Sequence, residues 1–131
     1  MTEETKALLR EGIVPVVLDN HREGHRLAAR LYRTFGLPSL VCGARRSFWD
    51  LLDPFSAFRP LSLGEKNSRL LSEQLTDLAA EYEDCFLLLI PLHREDRDTI
   101  RESGELLESR FVCRAPEELW NDPMLDGIRV T

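Results

Sequence analysis

The stretch FLLLIPLHREDRDTIRESGELLESRFVCRAPEEL, Phe86 to Leu119, decides the fold. An unbroken apolar run, Phe86 to Leu92, ends abruptly in charge and is followed by residues with a helical pattern. A strand buried on both faces reads this way when it carries polar residues to the rim of a parallel sheet and returns through a helix. The run is too short for a membrane helix, which needs roughly 20 apolar residues. Arg94 to Ser109 is expected to be helical, with Ile100, Gly104 and Leu107 inward. Arg110 to Arg114 reads as a last parallel strand. Ala115 to Trp120 reads as a short helix, with Pro116 early, where a missing N–H costs little.

Working outward, the same alternation recurs. Thr2 to Glu11 has helical composition and ends at Gly12. IVPVVLD, Ile13 to Asp19, reads as a first strand, with Pro15 awkward deep in a central ladder. A helix is expected from about Glu23, with Gly24, Leu27, Ala28, Leu31 and Phe35 on one face and Gly36 as its stop. SLVCGA, Ser39 to Ala44, is a second strand, and Arg45 and Arg46 follow it. Between them and Asn67 the chain is irregular, with a helical turn at Phe48 to Leu52 and one short extended piece near Phe55 to Arg59. Lys66 to Glu83 is amphipathic, since Leu71, Leu75, Leu78 and Tyr82 recur at helical spacing.

Strands alternating with helices imply right-handed crossovers and an α/β, Rossmann-like, doubly wound and mostly parallel sheet flanked by helices. The 131 residues are expected to form one domain, large enough for its own core. The 17 basic against 23 acidic residues give a net charge of -6, which argues against nucleic acid as a partner. MTEETKALLREG lacks the apolar stretch of a signal peptide, so a cytoplasmic location and no membrane partner are expected. Cys42, Cys85 and Cys113 are odd in number and widely spaced, and are expected to be buried, reduced thiols.

In a doubly wound sheet, ligands bind beyond the carboxyl ends of the strands. That rule picks out Asp19 to His25, Gly43 to Arg46 and Leu92 to Asp96. DNHREG, Asp19 to Gly24, has one glycine where a dinucleotide fingerprint needs three, so no tight phosphate cradle is expected. Asp19 or Asn20 reads first as a helix cap, and a carboxylate or single phosphate with Arg22 is the functional alternative. His21 and His25 stand at i and i+4, with His93 beyond a later strand. Surface solvation is the expected state of the pair, and no metal site is expected. Arg45 and Arg46 read as exposed loop arginines that suit an anionic group. Glu95, Asp96 and Asp98 suit the start of a helix. Phe48, Trp49, Phe55 and Phe58 are expected to pack in the core, with a lid or an interface, including a homodimer, as the other readings. No nucleophile elbow and no P-loop are present.

Three pieces resemble the amino-terminal, pre-ATP-grasp domain of ATP-grasp carboxylate-amine ligases, D-aspartate ligase-like or carbamoyl-phosphate-synthase-like. They are Pro15 to Gly43, Leu87 to Cys113 with its strand ending in Ile-Pro, and APEEL, Ala115 to Leu119. The resemblance implies a domain lining the substrate side of a ligase cleft, where ATP and magnesium activate a carboxylate for attack by an amine. It implies Asp19, Asn20, Gly24, Pro91, His93 and Arg94 as substrate-binding positions, beside Arg45 at the same rim, with no catalytic residue in this chain. Asp19-Asn20 replaces common glycines, and Leu92-His93 replaces common small hydroxyl residues. The substrate implied is a small carboxylate or amino-acid-like molecule. The nucleotide lysines and magnesium acids are absent here, so ATP and magnesium would belong to an ATP-grasp domain in the same, longer polypeptide. The alternative is a free-standing Rossmann-like module for a small ligand or a protein partner.

Overall fold

A computed structural model describes residues 12–63, 68–102, 111–122 and 125. The chain forms strand β1 (Ile13–Leu18), helix α1 (Arg22–Phe35), β2 (Ser39–Gly43), a short helix α2 (Phe48–Leu52) and β3 (Ser56–Pro60). Helix α3 (Ser68–Glu81), β4 (Phe86–Pro91), α4 (Arg94–Glu102), β5 (Phe111–Cys113) and a 3-10 turn (Pro116–Asn121) complete it. All strand pairs are parallel, in the order β3-β2-β1-β4-β5. This is an α/β, Rossmann-like sheet. The expected helices at Thr2 to Glu11 and beyond Glu102, with Gly104 and Leu107, lie outside the described residues.

Alternation along the strands divides the core into two layers, because successive strand side chains face opposite ways. Val14, Val16 and Leu18 of β1 and Leu87 and Leu89 of β4 pack with Leu71, Leu75 and Leu78 of α3 and Ile100 of α4. Val17, Leu88 and Ile90 face the other way, against Ala28, Leu31 and Phe35 of α1 and Leu119 of the 3-10 turn. Leu87 to Ile90 are all fully buried, and each contributes about 1.5–3 kcal/mol relative to exposure. This double coverage is why the run shows no polar alternation.

β1 is central, yet carries Pro15. Its ladder with β2 begins at Val16↔Leu40, past the proline, so the missing donor falls outside that pairing. Gly36 ends α1 at φ 69°, with its N–H donating to the Tyr32 carbonyl at 2.8 Å. That left-handed conformation favours glycine. β3 is an edge strand, tied to α3 by a two-pronged Arg59–Glu81 pair at 2.6 Å for each prong.

Cys42 is buried, and burial pushes its thiol well above the ordinary range. Cys85 is half-buried and Cys113 exposed, so the expectation of buried thiols holds for Cys42 alone. β5 lies at the sheet edge and Cys113 is its last residue, where no further strand among the described residues pairs with it.

Candidate functional site: a crevice at the carboxyl ends of β1, β2 and β4

The chain reverses direction across the sheet between β1 and β4, so the loops leaving them diverge to opposite faces. The crevice between has a volume of about 470 Å³ and is open to solvent. Its walls include Asp19, Asn20 and His21 after β1, Gly43 to Arg46 after β2, and His93, Glu95 and Asp96 after β4.

Asp19 forms the floor and is 6% exposed. Its Oδ2 accepts the Gly24 N–H at 2.8 Å and the His21 N–H at 3.2 Å. One free donor of the first turn of α1, the Gly24 N–H, and that of His21 just before the helix therefore already have a carboxylate, which weighs against a second anion at this helix end. Asp19 Oδ1 lies 3.0 Å from His93 Nε2, joining the end of β1 to the turn after β4. Gly24 makes this geometry possible. A Cβ there would stand 1.9 Å from the Asp19 carbonyl oxygen and 2.7 Å from Oδ2.

Asn20 is also buried. Its Nδ2 donates to the Arg45 carbonyl at 2.6 Å and to Asp50 Oδ2 at 2.9 Å, and its own carbonyl accepts from the Ser47 hydroxyl. The Asn20 amide occupies the space a side chain at position 43 would fill, since a Cβ on Gly43 would meet Asn20 Oδ1 at 2.1 Å. Asp19 and Asn20 thus hold the crevice together with most of their polar atoms.

The arginines that line the crevice are on the β2 side. Arg45 and Arg46 are exposed. Among the described residues neither guanidinium has an ion-pair partner, and Arg46 lies over the Phe58 ring, 5.1 Å from its centroid. His21 is exposed, and the His93 side chain is 62% exposed despite its contact with Asp19. The crevice therefore combines the exposed Arg45, Arg46, His21 and His93 with the exposed Glu95 carboxylate and the buried Asp96, above a floor where Asp19 is already bonded.

Of the remaining expected site residues, Pro91 is buried at the end of β4, paired in register with Leu18. Arg94 is not among the residues that line the crevice; its side chain is 93% exposed and lies 4.0 Å from Asp98. His25 corrects the expectation of a solvated pair, because it is 7% exposed and bonded to two aspartates. Its Nε2 lies 2.7 Å from Asp50 Oδ1 and its Nδ1 lies 2.7 Å from Asp53 Oδ2. Each ring nitrogen thus has a carboxylate oxygen within hydrogen-bond distance. Burial alone would raise the Asp50 carboxyl. Bonds from the Ser47 N–H, His25 and Asn20 outweigh it and hold the group below its ordinary range. At Asp53, burial is likewise outweighed by bonds from Ser56, His25 and the Phe55 N–H.

The clamp of His25, Asp50 and Asp53 was not singled out from the sequence. Two signals point to it: Ser47-x-x-Asp50 has the spacing of a capping box, and His25 stands one turn before Ala28 on the buried face of α1. The aromatic segment is the second correction. Phe48 is 67%, Trp49 37% and Phe55 50% exposed, instead of packed in the core. Asp50 and Asp53 take the inward positions because His25 and Asn20 supply them with donors, and the apolar neighbours turn out. Among the described residues, no group of three or more His, Cys, Asp or Glu side chains is arranged to hold a metal ion, and no helix is long and apolar enough to cross a membrane.

Comparison with family models, with curated proteins and with solved structures finds no match to this chain.

Proposed function

We propose that this chain is a cytoplasmic binding domain for a small carboxylate or amino-acid-like ligand, acting as the substrate-side domain of an ATP-dependent carboxylate-amine ligase. The observation that carries the reading is the pair of exposed guanidiniums, Arg45 and Arg46, in the lining of the switch-point crevice, neither with an ion-pair partner among the described residues. Guanidiniums hold carboxylates through parallel N–H donors. His21 and His93 add hydrogen-bonding side chains to the lining of the same crevice. Support for the ligase context comes from the resemblance of Pro15 to Gly43, Leu87 to Cys113 and Ala115 to Leu119 to pre-ATP-grasp domains.

The first turn of α1 is a poor seat for the phosphates of ATP. Asp19 takes the Gly24 N–H of the first turn of α1 and adds negative charge where a polyphosphate would bind. In this reading, nucleotide and metal belong to an ATP-grasp domain in the same polypeptide, and the present residues bind and orient the carboxylate.

Calorimetric titration of the protein with aspartate, succinate and Mg·ATP tests the assignment. Aspartate or succinate is expected to bind, with affinity reduced about tenfold or more on joint Arg45→Ala and Arg46→Ala substitution, the loss of roughly one charge-assisted contact. Mg·ATP is expected to give no heat. Micromolar Mg·ATP binding to residues 1–131 contradicts the assignment, as does carboxylate binding indifferent to both arginines.

A further inference from the structure

The segment FWDLLDPF, Phe48 to Phe55, is folded inside out. Its two acids point inward to His25 and Asn20, while Phe48, Trp49, Leu51, Leu52 and Phe55 stand 67%, 37%, 78%, 57% and 50% exposed. Taking large apolar side chains at roughly 150–250 Å² each, the exposed part amounts to about 500 Å². That is at the upper end of what a monomer leaves bare without a use for it. The exposure is held in place: the clamp on His25 fixes Asp50 and Asp53, and Phe55 is stacked on Tyr32 of α1 at 4.6 Å between ring centroids.

Beside these side chains runs a shallow groove of about 340 Å³ between α1 and α2, lined by Arg22, Arg26, Ala29, Trp49, Leu52 and Phe55 among others. Its α1 bank is basic. Arg22, Arg26, Arg30 and Arg33 recur at spacings that place them in one row along the helix, and all are exposed. Glu23 is the one acid in α1, 3.6 Å from Arg26. A helix with this charge stands out on a chain of net charge -6. Two copies of the chain meeting face to face on this groove would bring two such arginine rows together, which disfavours a symmetric self-pairing.

We propose that the groove between α1 and α2 docks an acidic amphipathic helix of a protein partner. The apolar face of that helix would cover Trp49, Leu51, Leu52 and Phe55, and its carboxylates would run along Arg22 and Arg26. This is helix-in-groove recognition, in which apolar anchors supply affinity and the charged rim supplies orientation and choice of partner. The surface is separate from the crevice: the two share no lining residue.

The test uses the full chain and two synthetic helical peptides that share a leucine face, one with glutamates and the other with lysines on the opposite face. Fluorescence anisotropy of each labelled peptide gives its affinity. The glutamate peptide is expected to bind about tenfold or more tighter than the lysine peptide, the free-energy equivalent of one or two rim charge pairs. Leu51→Ser with Leu52→Ser is expected to remove most of that binding. Arg22→Ala with Arg26→Ala is expected to abolish the preference between peptides and flatten the salt dependence. These positions are exposed, and an unchanged unfolding midpoint in each variant separates lost docking from lost folding. Equal binding of both peptides, no binding of the glutamate peptide, or binding indifferent to the arginine pair overturns the proposal. Sedimentation showing a dimer that Leu51→Ser dissociates overturns it in favour of a second copy.

Discussion

The loop after β1 and the loop after β2 meet at one crevice, but they use polarity in opposite ways. After β1, Asp19 and Asn20 are buried and bonded to the first turn of α1, to His93, and to the backbone of the neighbouring loop. After β2, Arg45 and Arg46 stand open, and five large apolar side chains a few residues later face water. The first loop builds the crevice and the second presents it. Polar residues at a strand's carboxyl end are thus not interchangeable evidence for binding, and the free energy of each depends on whether its donors and acceptors already have partners.

Substitutions in the two loops should therefore differ sharply in what they damage. Gly24→Ala strikes the first loop hardest. Its methyl group would lie 1.9 Å from a backbone oxygen that has no rotamer by which to move, so a loss of about 3 kcal/mol or more, or failure to fold, is expected in urea unfolding. His25→Ala comes next. It leaves Asp50 and Asp53 buried without their shared donor, and a loss of about 3 kcal/mol is expected in the same measurement. Gly43→Ala meets a side chain instead of backbone, at 2.1 Å. Asn20 can yield, so about 1–2 kcal/mol is expected, partly recovered by adding Asn20→Gly.

The pH dependence follows from the same clamp. Asp50 and Asp53 have lowered folded-state values, so their stabilisation is present above the unfolded carboxylate value of about 3.9 and is lost as pH falls through the folded values. Unfolding free energy is expected to drop below about pH 4, and to drop less steeply in Asp50→Asn. A decline no steeper in the native protein than in that variant contradicts the clamp. Leu51→Ser, in the second loop, should be the mildest change. At 78% exposure its effect on stability is expected to lie within about 0.5 kcal/mol.

The layered fold was legible because burial on both faces writes itself as apolar runs, and Phe86 to Leu92 placed a buried strand within a residue of its observed end. The carboxyl-end rim was legible by the same logic. What each rim residue does there was less so. Asp19 read as a cap and is one, although it caps from two residues before the helix boundary at His21. His25 was hidden because its burial depends on two aspartates more than twenty residues away, and no local spacing announces such a pairing. The outward turn of Phe48 to Phe55 was hidden for the same reason. Hydrophobicity argues that aromatics go inside, and only the inward bonds of Asp50 and Asp53 show why these do not.

The central claim is that the crevice binds a carboxylate through the arginines of the second loop. Amide chemical shifts recorded during titration with aspartate test it residue by residue. The account predicts saturable changes clustered at Gly43, Ala44, Arg45, Arg46 and His93, which disappear with Arg45→Ala and Arg46→Ala. Changes confined to the Trp49 and Phe55 groove, or none at all at saturating aspartate, would contradict it.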